Sequence, residues 1–268
     1  MNWLLLDSGP CPPAFNMALD EALLEAVSRL GKPVLRFYGW TEPAATFGYF
    51  QKYADVARAT LLRPLVRRPT GGGIVPHDAD WTYSLVFPPG HEWHLLKAEE
   101  SYRRIHEWIQ ATFAVLDMVT ELASARKKSV TASGSSRREE APFSNAEHGV
   151  ENAESSQSLL TSAATDQCFT GHEKSDLLWH GLKIAGAAQR RNKLGLLIQG
   201  SVQPSPLHRS EVRNQKSERA VWQDAMRTVG SERLGIQWLT FASDDALQKR
   251  AEALVRHKYS QTLFIRKR

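Results

Sequence analysis

The stretch of residues 67–77 combines two arginines, three successive glycines and a histidine, a composition that suits the binding of an anion. Glycines lack a Cβ atom, so their backbone N–H groups can approach an oxyanion, a carboxylate or a phosphate closely, and the arginines add positive charge. The spacing matches neither a Walker phosphate loop nor a G-x-G-x-x-G dinucleotide motif. A flexible turn after a strand is the alternative interpretation. The candidate binding residues are Arg67, Arg68, Gly71, Gly72, Gly73 and His77.

A lysine within an apolar segment of small residues marks a second candidate site. Lys183 lies in the segment Gly181–Arg191, where Gly186 and Ala188 leave space beside it. Burying an ammonium group costs free energy unless the group faces an anion or a ligand. We therefore predict that Lys183 faces a ligand, and the alternative is that strand alternation places it on the solvent side.

A lone cysteine, Cys168, precedes Lys183 by fifteen residues. A cysteine acts as a nucleophile through its thiolate, which a nearby cation favours, and Lys183 could supply that cation. The alternative is a small buried apolar residue, which is the commoner role of an unpaired cysteine. The sequence therefore makes Cys168 and Lys183 the candidate catalytic pair.

The overall composition restricts the class of protein. The chain of 268 residues is 42% hydrophobic and 24% charged, which excludes collagen, coiled coils and extensive disorder. Its two cysteines cannot form a disulfide framework, and no spacing resembles a metal site. No apolar run is long enough to span a bilayer, so we expect a cytoplasmic protein without membrane contact. The net charge of +5 is compatible with an acidic partner, with nucleic acid or with a solubilising surface, and we expect no nucleic acid partner.

Apolar periodicity predicts helices that alternate with groups of antiparallel strands. The predicted helices are Asn16–Leu30, a segment containing Tyr102 to Leu116, and a segment from a Ser243 cap to His257. The predicted strands are Val34–Tyr38, Thr82–Phe87, the hairpin Asp176–Trp179 and Leu182–Ala188, Leu194–Val202 and Gln261–Ile265. This order predicts a mixed-sheet α/β or α+β domain.

One shift in composition interrupts the chain. Residues 121–166 are rich in Ser, Ala, Glu and Thr and contain one aromatic residue, Phe143, so they lack the apolar area needed to offset the entropy of ordering. We interpret this segment as a mobile insertion within a single domain of residues 1–268, because closing a long loop costs little entropy. Residues 203–268 are assigned to the C-terminal part of the same domain.

Six motifs, in order along the chain, resemble those of the lipoate/biotin protein ligase superfamily. The motifs are Asn16–Leu23, Arg36–Trp40, Thr46–Gln51, Arg67–Asp78, Thr82–Leu85 and Lys183–Arg190. The resemblance implies the catalytic domain of that superfamily, which has a mixed, mainly antiparallel sheet flanked by helices. It also implies that residues 67–77, here called the glycine stretch, and the strand that contains Lys183, here called the lysine strand, line a tunnel for a fatty or lipoyl chain.

Within the superfamily, the spacing of Cys168 and Lys183 is similar to that of one group of octanoyltransferases. These enzymes take octanoate from acyl carrier protein as a thioester on their own cysteine and pass it to a lysine of a lipoyl-domain protein. Such acceptors are the glycine cleavage H protein and the E2 subunits of dehydrogenases. The resemblance therefore implies an acyltransferase of protein lipoylation that requires no cofactor. It does not indicate the oligomeric state.

Two alternatives remain. ATP-dependent lipoate-protein ligases form an acyl-adenylate with ATP and Mg and do not require a cysteine nucleophile. The triple glycine is closer to the ligase pattern, and Thr170–Glu173 stand where the transferases tend to have a Pro-Ser pair. A non-catalytic binding module is the third interpretation.

The transferase interpretation gives each candidate residue a role. Cys168, as a thiolate paired with Lys183, attacks the carbonyl of the donor thioester. Backbone N–H groups of the glycine stretch or of the strand at Gly186 hold the developing oxyanion. Lys183 or His77 accepts the proton of the attacking amine, and for His77 an equal alternative is that it braces the glycine loop.

Overall fold

Eight strands form the main sheet of the computed structural model, which describes residues 1–123, 174–203 and 215–267. The strands of this part of the chain are β1 (Asn2–Cys11), β2 (Val34–Trp40), β3 (Ala44–Phe47), β4 (Leu65–Arg67), β5 (Val75–His77), β6 (Trp81–Phe87), β7 (Glu121–Leu122), β8 (Leu177–Trp179), β9 (Leu182–Asn192), β10 (Gly195–Val202) and β11 (Gln237–Thr240). The main sheet has the order β11-β1-β2-β6-β10-β9-β8-β7, and a small sheet has the order β4-β3-β5.

Antiparallel pairing dominates the main sheet. Only β11, β1 and β2 run parallel, and every later pair from β2 and β6 to β8 and β7 is antiparallel. The predicted mixed, mainly antiparallel sheet flanked by helices is confirmed.

Helices cover both faces of the main sheet. The helices described are α1 (Pro13–Leu30), α2 (Tyr53–Ala59), α3 (Glu92–Leu95), α4 (Ala98–Val115), α5 (Gln215–Leu234), α6 (Asp245–Leu254) and α7 (Thr262–Ile265), with a π-helical segment at Val255–Tyr259. Side chains of α1 and α6 share one apolar core, and side chains of α4 and α5 share the other. Neighbouring strand residues such as Val34 and Leu35 point to opposite cores, because successive side chains of a strand alternate between its faces.

Helix α1 agrees with its predicted position and extends it by three residues at the N-terminus. Pro13 is the first residue of the helix. Proline is tolerated there because a backbone N–H at that position would have no hydrogen-bond acceptor within the helix. Gly31 ends the helix with a left-handed φ of 66°, and its N–H donates to the carbonyl of Val27. The helix packs over the strands that carry part of the site described below.

Two sequence predictions near the C-terminus are wrong. Gln261–Ile265, predicted as a strand, contains helix α7, whose Ile265 carbonyl accepts a hydrogen bond from the buried guanidinium of Arg67. Helix α7 lies beside β4, an edge strand of the small sheet, without pairing with it, and the last residue of the helix presents its carbonyl to Arg67. The predicted Ser243 cap is replaced by Asp244, whose carboxylate accepts from the N–H of Leu247 at 2.8 Å.

The predicted insertion begins inside the main sheet. Glu121 and Leu122 form β7 and pair with Leu178 and Leu177 of β8. The rest of the predicted segment, residues 124–166, lies outside the described residues, and so do residues 204–214 of the C-terminal part. Of the helices described, none is long and apolar enough to cross a bilayer.

Candidate active site

A cavity of about 360 Å³ is formed by the glycine stretch, the small sheet, β9, β10 and helices α1 and α4. Seven of the residues predicted from the sequence line it, and they come from both candidate stretches. These residues are Arg68, Gly72, Gly73, His77, Lys183, Gly186 and Ala188. The fold therefore brings together two segments that are separated by more than 100 residues.

Lys183 forms an ion pair with Asp176 in the wall of this cavity. The distance from Lys183 Nζ to Asp176 Oδ2 is 2.7 Å, and the two side chains are only 18% and 7% exposed. The β8–β9 hairpin brings them together, because Asp176 directly precedes β8 and Lys183 lies in β9 opposite Leu178. The alternative prediction, that Lys183 faces solvent, is therefore wrong. The carboxylate of Asp176 is the counter-ion of the Lys183 ammonium group.

Gly186 makes room for the lysine side chain. A Cβ atom at this position would lie 2.7 Å from Lys183 Cε and 3.0 Å from Nζ, both closer than van der Waals contact allows. The Lys183 side chain therefore folds back over its own strand toward Asp176. The absence of a Cβ atom at position 186 leaves the space that the Lys183 side chain occupies beside Asp176.

Gly72 joins the glycine stretch to the lysine strand. Its φ of 84° lies in the left-handed region, and a Cβ atom there would lie 3.3 Å from the Cβ of Ala188. Gly48 allows a second close approach, because a Cβ at that position would lie 2.0 Å from the carbonyl oxygen of Gly72. The backbone of the stretch is thus held between β9 and the residues that follow β3.

Arg68 fixes the conformation of the glycine stretch. Its guanidinium donates to the carbonyls of Gly71 and Gly73, each at 2.8 Å, and to Thr46 Oγ1 at 2.9 Å. Burial lowers the pKa of Arg68 to about 10, because the charged form loses hydration, so the side chain stays cationic at neutral pH. No described carboxylate lies within ion-pair distance of it. The cavity wall therefore carries a buried positive charge that suits an anionic or oxyanionic group.

Arg67 lies outside the cavity, although the sequence made it a candidate binding residue. Its buried guanidinium donates to the carbonyls of Tyr49 and Gln51 at 2.7 Å and of Ile265 at 2.9 Å. Consecutive side chains of an extended segment point to opposite sides, so only one of two adjacent arginines can face the cavity. Arg67 instead connects the loop after β3 to the C-terminal helix α7.

His77 has a hydrogen-bond partner for each ring nitrogen. Nε2 lies 2.7 Å from Thr46 Oγ1, and Nδ1 lies 2.9 Å from Asp80 Oδ2. The ring also stacks on Trp40 with centroids 3.8 Å apart. These contacts favour the bracing role, since Thr46 also accepts from Arg68 and so connects His77 to the glycine stretch.

A buried polar network lies beneath the glycine stretch. Thr70 Oγ1 donates to Gln199 Oε1 at 2.7 Å, and Gln199 Nε2 donates to Asp20 Oδ2 at 2.7 Å. Asp20 and Arg36, both fully buried, form an ion pair at 2.7 Å. Buried polar groups are stable only when they are paired, so this network holds α1, β2 and β10 in one arrangement below the site.

Asp176 and His106 are among the residues of the cavity wall that the sequence analysis did not identify. Asp176 was assigned only to a predicted strand, although an acid and a lysine on the two strands of one hairpin are a signal of pairing. His106 lies four residues after Tyr102 on the apolar side of α4, and both residues line the cavity. A histidine on a buried helix face was the signal that could have identified it.

Besides Arg67, two predicted residues do not contribute to the described cavity wall. Gly71 contributes a carbonyl to Arg68 but does not line the cavity. Cys168 lies outside the described residues, so its predicted pairing with Lys183 remains a prediction. Among the residues that are described, no three His, Cys, Asp or Glu side chains cluster as a metal site.

Comparison with known proteins connects this geometry to a family. Residues 12–206 match the family model of the lipoyl protein ligase A/B catalytic domain. The chain is 36% identical over 206 residues to the octanoyltransferase LipM of Geobacillus kaustophilus and 33% identical over 205 residues to that of Bacillus subtilis. Each alignment covers 75% of this chain, and the chain spans about 64% of the length of these curated relatives.

Solved structures agree at the level of the fold. Lipoate-protein ligase A bound with ATP superposes with a TM-score of 0.66 at 20% identity and covers 99% of both chains. A bipartite lipoate protein ligase of Thermoplasma acidophilum superposes with a TM-score of 0.61 at 19% identity, covering 99% of this chain and 96% of its own. Because the family model matches most of the chain and the cavity joins the motifs that carry the resemblance, the chain belongs to the family of lipoyl protein ligase A/B catalytic domains.

Proposed function

We propose that this chain is an octanoyltransferase of protein lipoylation. In this reaction the octanoyl group moves from acyl carrier protein to Cys168, and then to a lysine of a lipoyl-domain protein such as the glycine cleavage H protein or a dehydrogenase E2 subunit. The observation that carries the proposal is the partly buried ion pair of Lys183 and Asp176 in the cavity wall, with Lys183 fifteen residues after Cys168. The LipM relatives support the same activity.

The cavity suits an acyl chain. Its volume of about 360 Å³ is in the range of small-molecule pockets, and Met17, Ile74 and Ala187 contribute apolar surface. Burying six or seven methylene groups stabilises binding by roughly 5 kcal/mol at about 0.8 kcal/mol each. Chain length can therefore be selected by how many methylenes the cavity accommodates.

Acylation of Cys168 uses Lys183 as the proton carrier. The step begins with Cys168 as a thiolate beside the ammonium group of Lys183, which Asp176 stabilises. The thiolate attacks the thioester carbonyl of the donor, and the bond from that carbon to the carrier sulfur breaks. The carrier thiolate takes the proton from Lys183 as it leaves, so Lys183 ends the step neutral.

Transfer to the acceptor reverses the proton movement. The neutral amine of the acceptor lysine attacks the acylated Cys168 and forms the amide, and its excess proton passes to Lys183. Cys168 leaves as a thiolate beside the ammonium group, which restores the starting state. Thioester exchange is nearly isoenergetic and amide formation is downhill, so this sequence of steps needs no nucleotide.

Replacement of Cys168 by alanine tests the proposal. The parent protein, incubated with octanoyl carrier protein, is expected to gain the mass of one octanoyl group, and Cys168→Ala is expected to gain none, by intact mass spectrometry. Cys11→Ala is the matched control, because Cys11 donates its S–H to the Ser8 carbonyl in β1, away from the cavity lining. If Cys168→Ala still attaches free octanoate or lipoate in the presence of ATP, the proposed transferase activity is wrong and the chain is a ligase. The triple glycine is closer to the ligase pattern.

Gly186→Ala is expected to reduce transfer by roughly 10- to 100-fold, because the added Cβ displaces the Lys183 side chain from Asp176. Thermal stability should change little, since the displaced atoms are at the end of a flexible side chain. Steady-state kinetics and thermal unfolding check the two effects. Gly235→Ala is the control, because it strains a backbone position with φ of 63° that is outside the cavity lining, and it should leave transfer unchanged.

A further inference from the structure

His106 of α4 is a buried titratable residue for which the mechanism above has no use. Its side chain is 1% exposed, and it lines the same cavity as Lys183 and Asp176. Ile105 before it and Trp108 and Ile109 after it belong to the apolar core, so packing fixes the helix on both sides of the histidine. The ring is therefore held at the cavity wall by a rigid element.

Neither ring nitrogen of His106 has a hydrogen-bond partner among the described residues. The backbone of Ser175 comes near the ring and raises its pKa, but the contact falls outside hydrogen-bond geometry. Leaving a buried polar group unpaired is destabilising, and the large majority of such groups in proteins are paired. A molecule bound in the cavity can therefore supply the hydrogen-bond partner that the His106 ring lacks.

The charge state of the ring limits what it can do. Burial is the main reason that the pKa of His106 is lowered to about 4; Lys183 acts in the same direction and Asp176 in the opposite one. At neutral pH the imidazole is therefore uncharged and has one N–H donor and one acceptor. A neutral imidazole can polarise a carbonyl by hydrogen bonding without adding a second cation beside Lys183.

We infer that His106 contacts the substrate by donating an N–H hydrogen bond to the carbonyl oxygen of the acyl group. A saturated acyl chain offers one strong acceptor, its carbonyl oxygen, and that oxygen belongs to the reacting end. The hydrogen bond places the carbonyl carbon beside Lys183, and it strengthens as negative charge develops on the oxygen during attack. The inference rests on the proposed function, since it takes the octanoyl group as the ligand.

Two variants separate substrate contact from a structural role. His106→Leu removes the donor, whereas His106→Gln retains an N–H donor. Single-turnover acylation by octanoyl carrier protein is expected to slow by roughly 10²–10³-fold in His106→Leu and by less than about 10-fold in His106→Gln. The unfolding temperature of His106→Leu is expected to equal or exceed that of the parent, because an unpaired polar group is replaced by an apolar one.

A spectroscopic measurement decides the inference independently of turnover. The probe is a ketone analogue of octanoyl-pantetheine, with a methylene group between the carbonyl carbon and the sulfur and with ¹³C at the carbonyl. Its bound carbonyl resonance is expected downfield in the parent and in His106→Gln, and upfield of both in His106→Leu. An equal resonance in the parent and His106→Leu, or acylation by His106→Leu within about 3-fold of the parent, would overturn the role of His106. A parent that binds the ketone but never acylates Cys168 would instead overturn the proposed transfer.

Discussion

Replacing Lys183 by methionine is expected to reduce the rate of octanoyl transfer by about 10²–10⁴-fold, the range that a positioned proton-transfer group contributes. The variant removes both the cation that stabilises the Cys168 thiolate and the proton carrier of the two steps. It also leaves Asp176, whose side chain is 7% exposed, without the ammonium group 2.7 Å away. The acidic side chain then disfavours a nearby thiolate instead of being neutralised. Single-turnover formation of the acyl-enzyme measures this effect most directly.

Lys249→Met is the matched control for this experiment. Lys249 is an exposed residue of α6, so the same substitution there should leave both acylation and transfer within about 2-fold of the parent. Lys183→Arg should not restore activity, because a guanidinium keeps the charge but does not give up its proton. Transfer by Lys183→Met at more than one tenth of the parent rate would exclude the proposed role of the lysine.

Asp20→Asn is expected to lower the free energy of unfolding by about 3–5 kcal/mol, because it leaves the fully buried Arg36 without a counter-charge. The Asp20 carboxylate also accepts from Ser84 Oγ and Gln199 Nε2, each at 2.7 Å, and an amide cannot satisfy all of these donors. At about 2–4 °C per kcal/mol, the unfolding temperature should fall by at least about 6 °C. Denaturant and thermal unfolding provide the two measurements.

Asp55→Asn is the control for the buried carboxylate. Asp55 pairs with Arg58 on the surface, with side chains 61% and 78% exposed, so its loss should cost no more than about 1 kcal/mol. A cost for Asp20→Asn as small as that of Asp55→Asn would show that the buried network does not stabilise the fold. Because Gln199 connects Asp20 to Thr70, the Asp20 variant should also loosen the glycine stretch and raise KM for the acyl donor.

Local sequence pattern predicted several of the elements that line the cavity, but not the strands β3 and β5 of the small sheet. Helix α1, helix α4 and the strands β9 and β10 agree with prediction, because apolar periodicity reflects the face that each element buries. Strand β1 was missed, since its short run of leucines begins the chain without turn signals before it. The short apolar run at Gln261–Ile265 was predicted as a strand but is a helix. Its conformation depends on a contact with Arg67, which lies 198 residues away from Ile265 in the sequence.

By itself, the sequence determined which residue types recur in which order. This was sufficient to predict the fold class, the family and seven of the residues that line the cavity. Such motifs depend on spacing within short windows of the chain. Only the tertiary structure decided that Arg68 and not Arg67 faces the cavity, that Asp176 pairs with Lys183, and that a helix contributes His106. The reason is that side-chain direction and ion pairing depend on which strands and helices become neighbours, and no single segment contains that information.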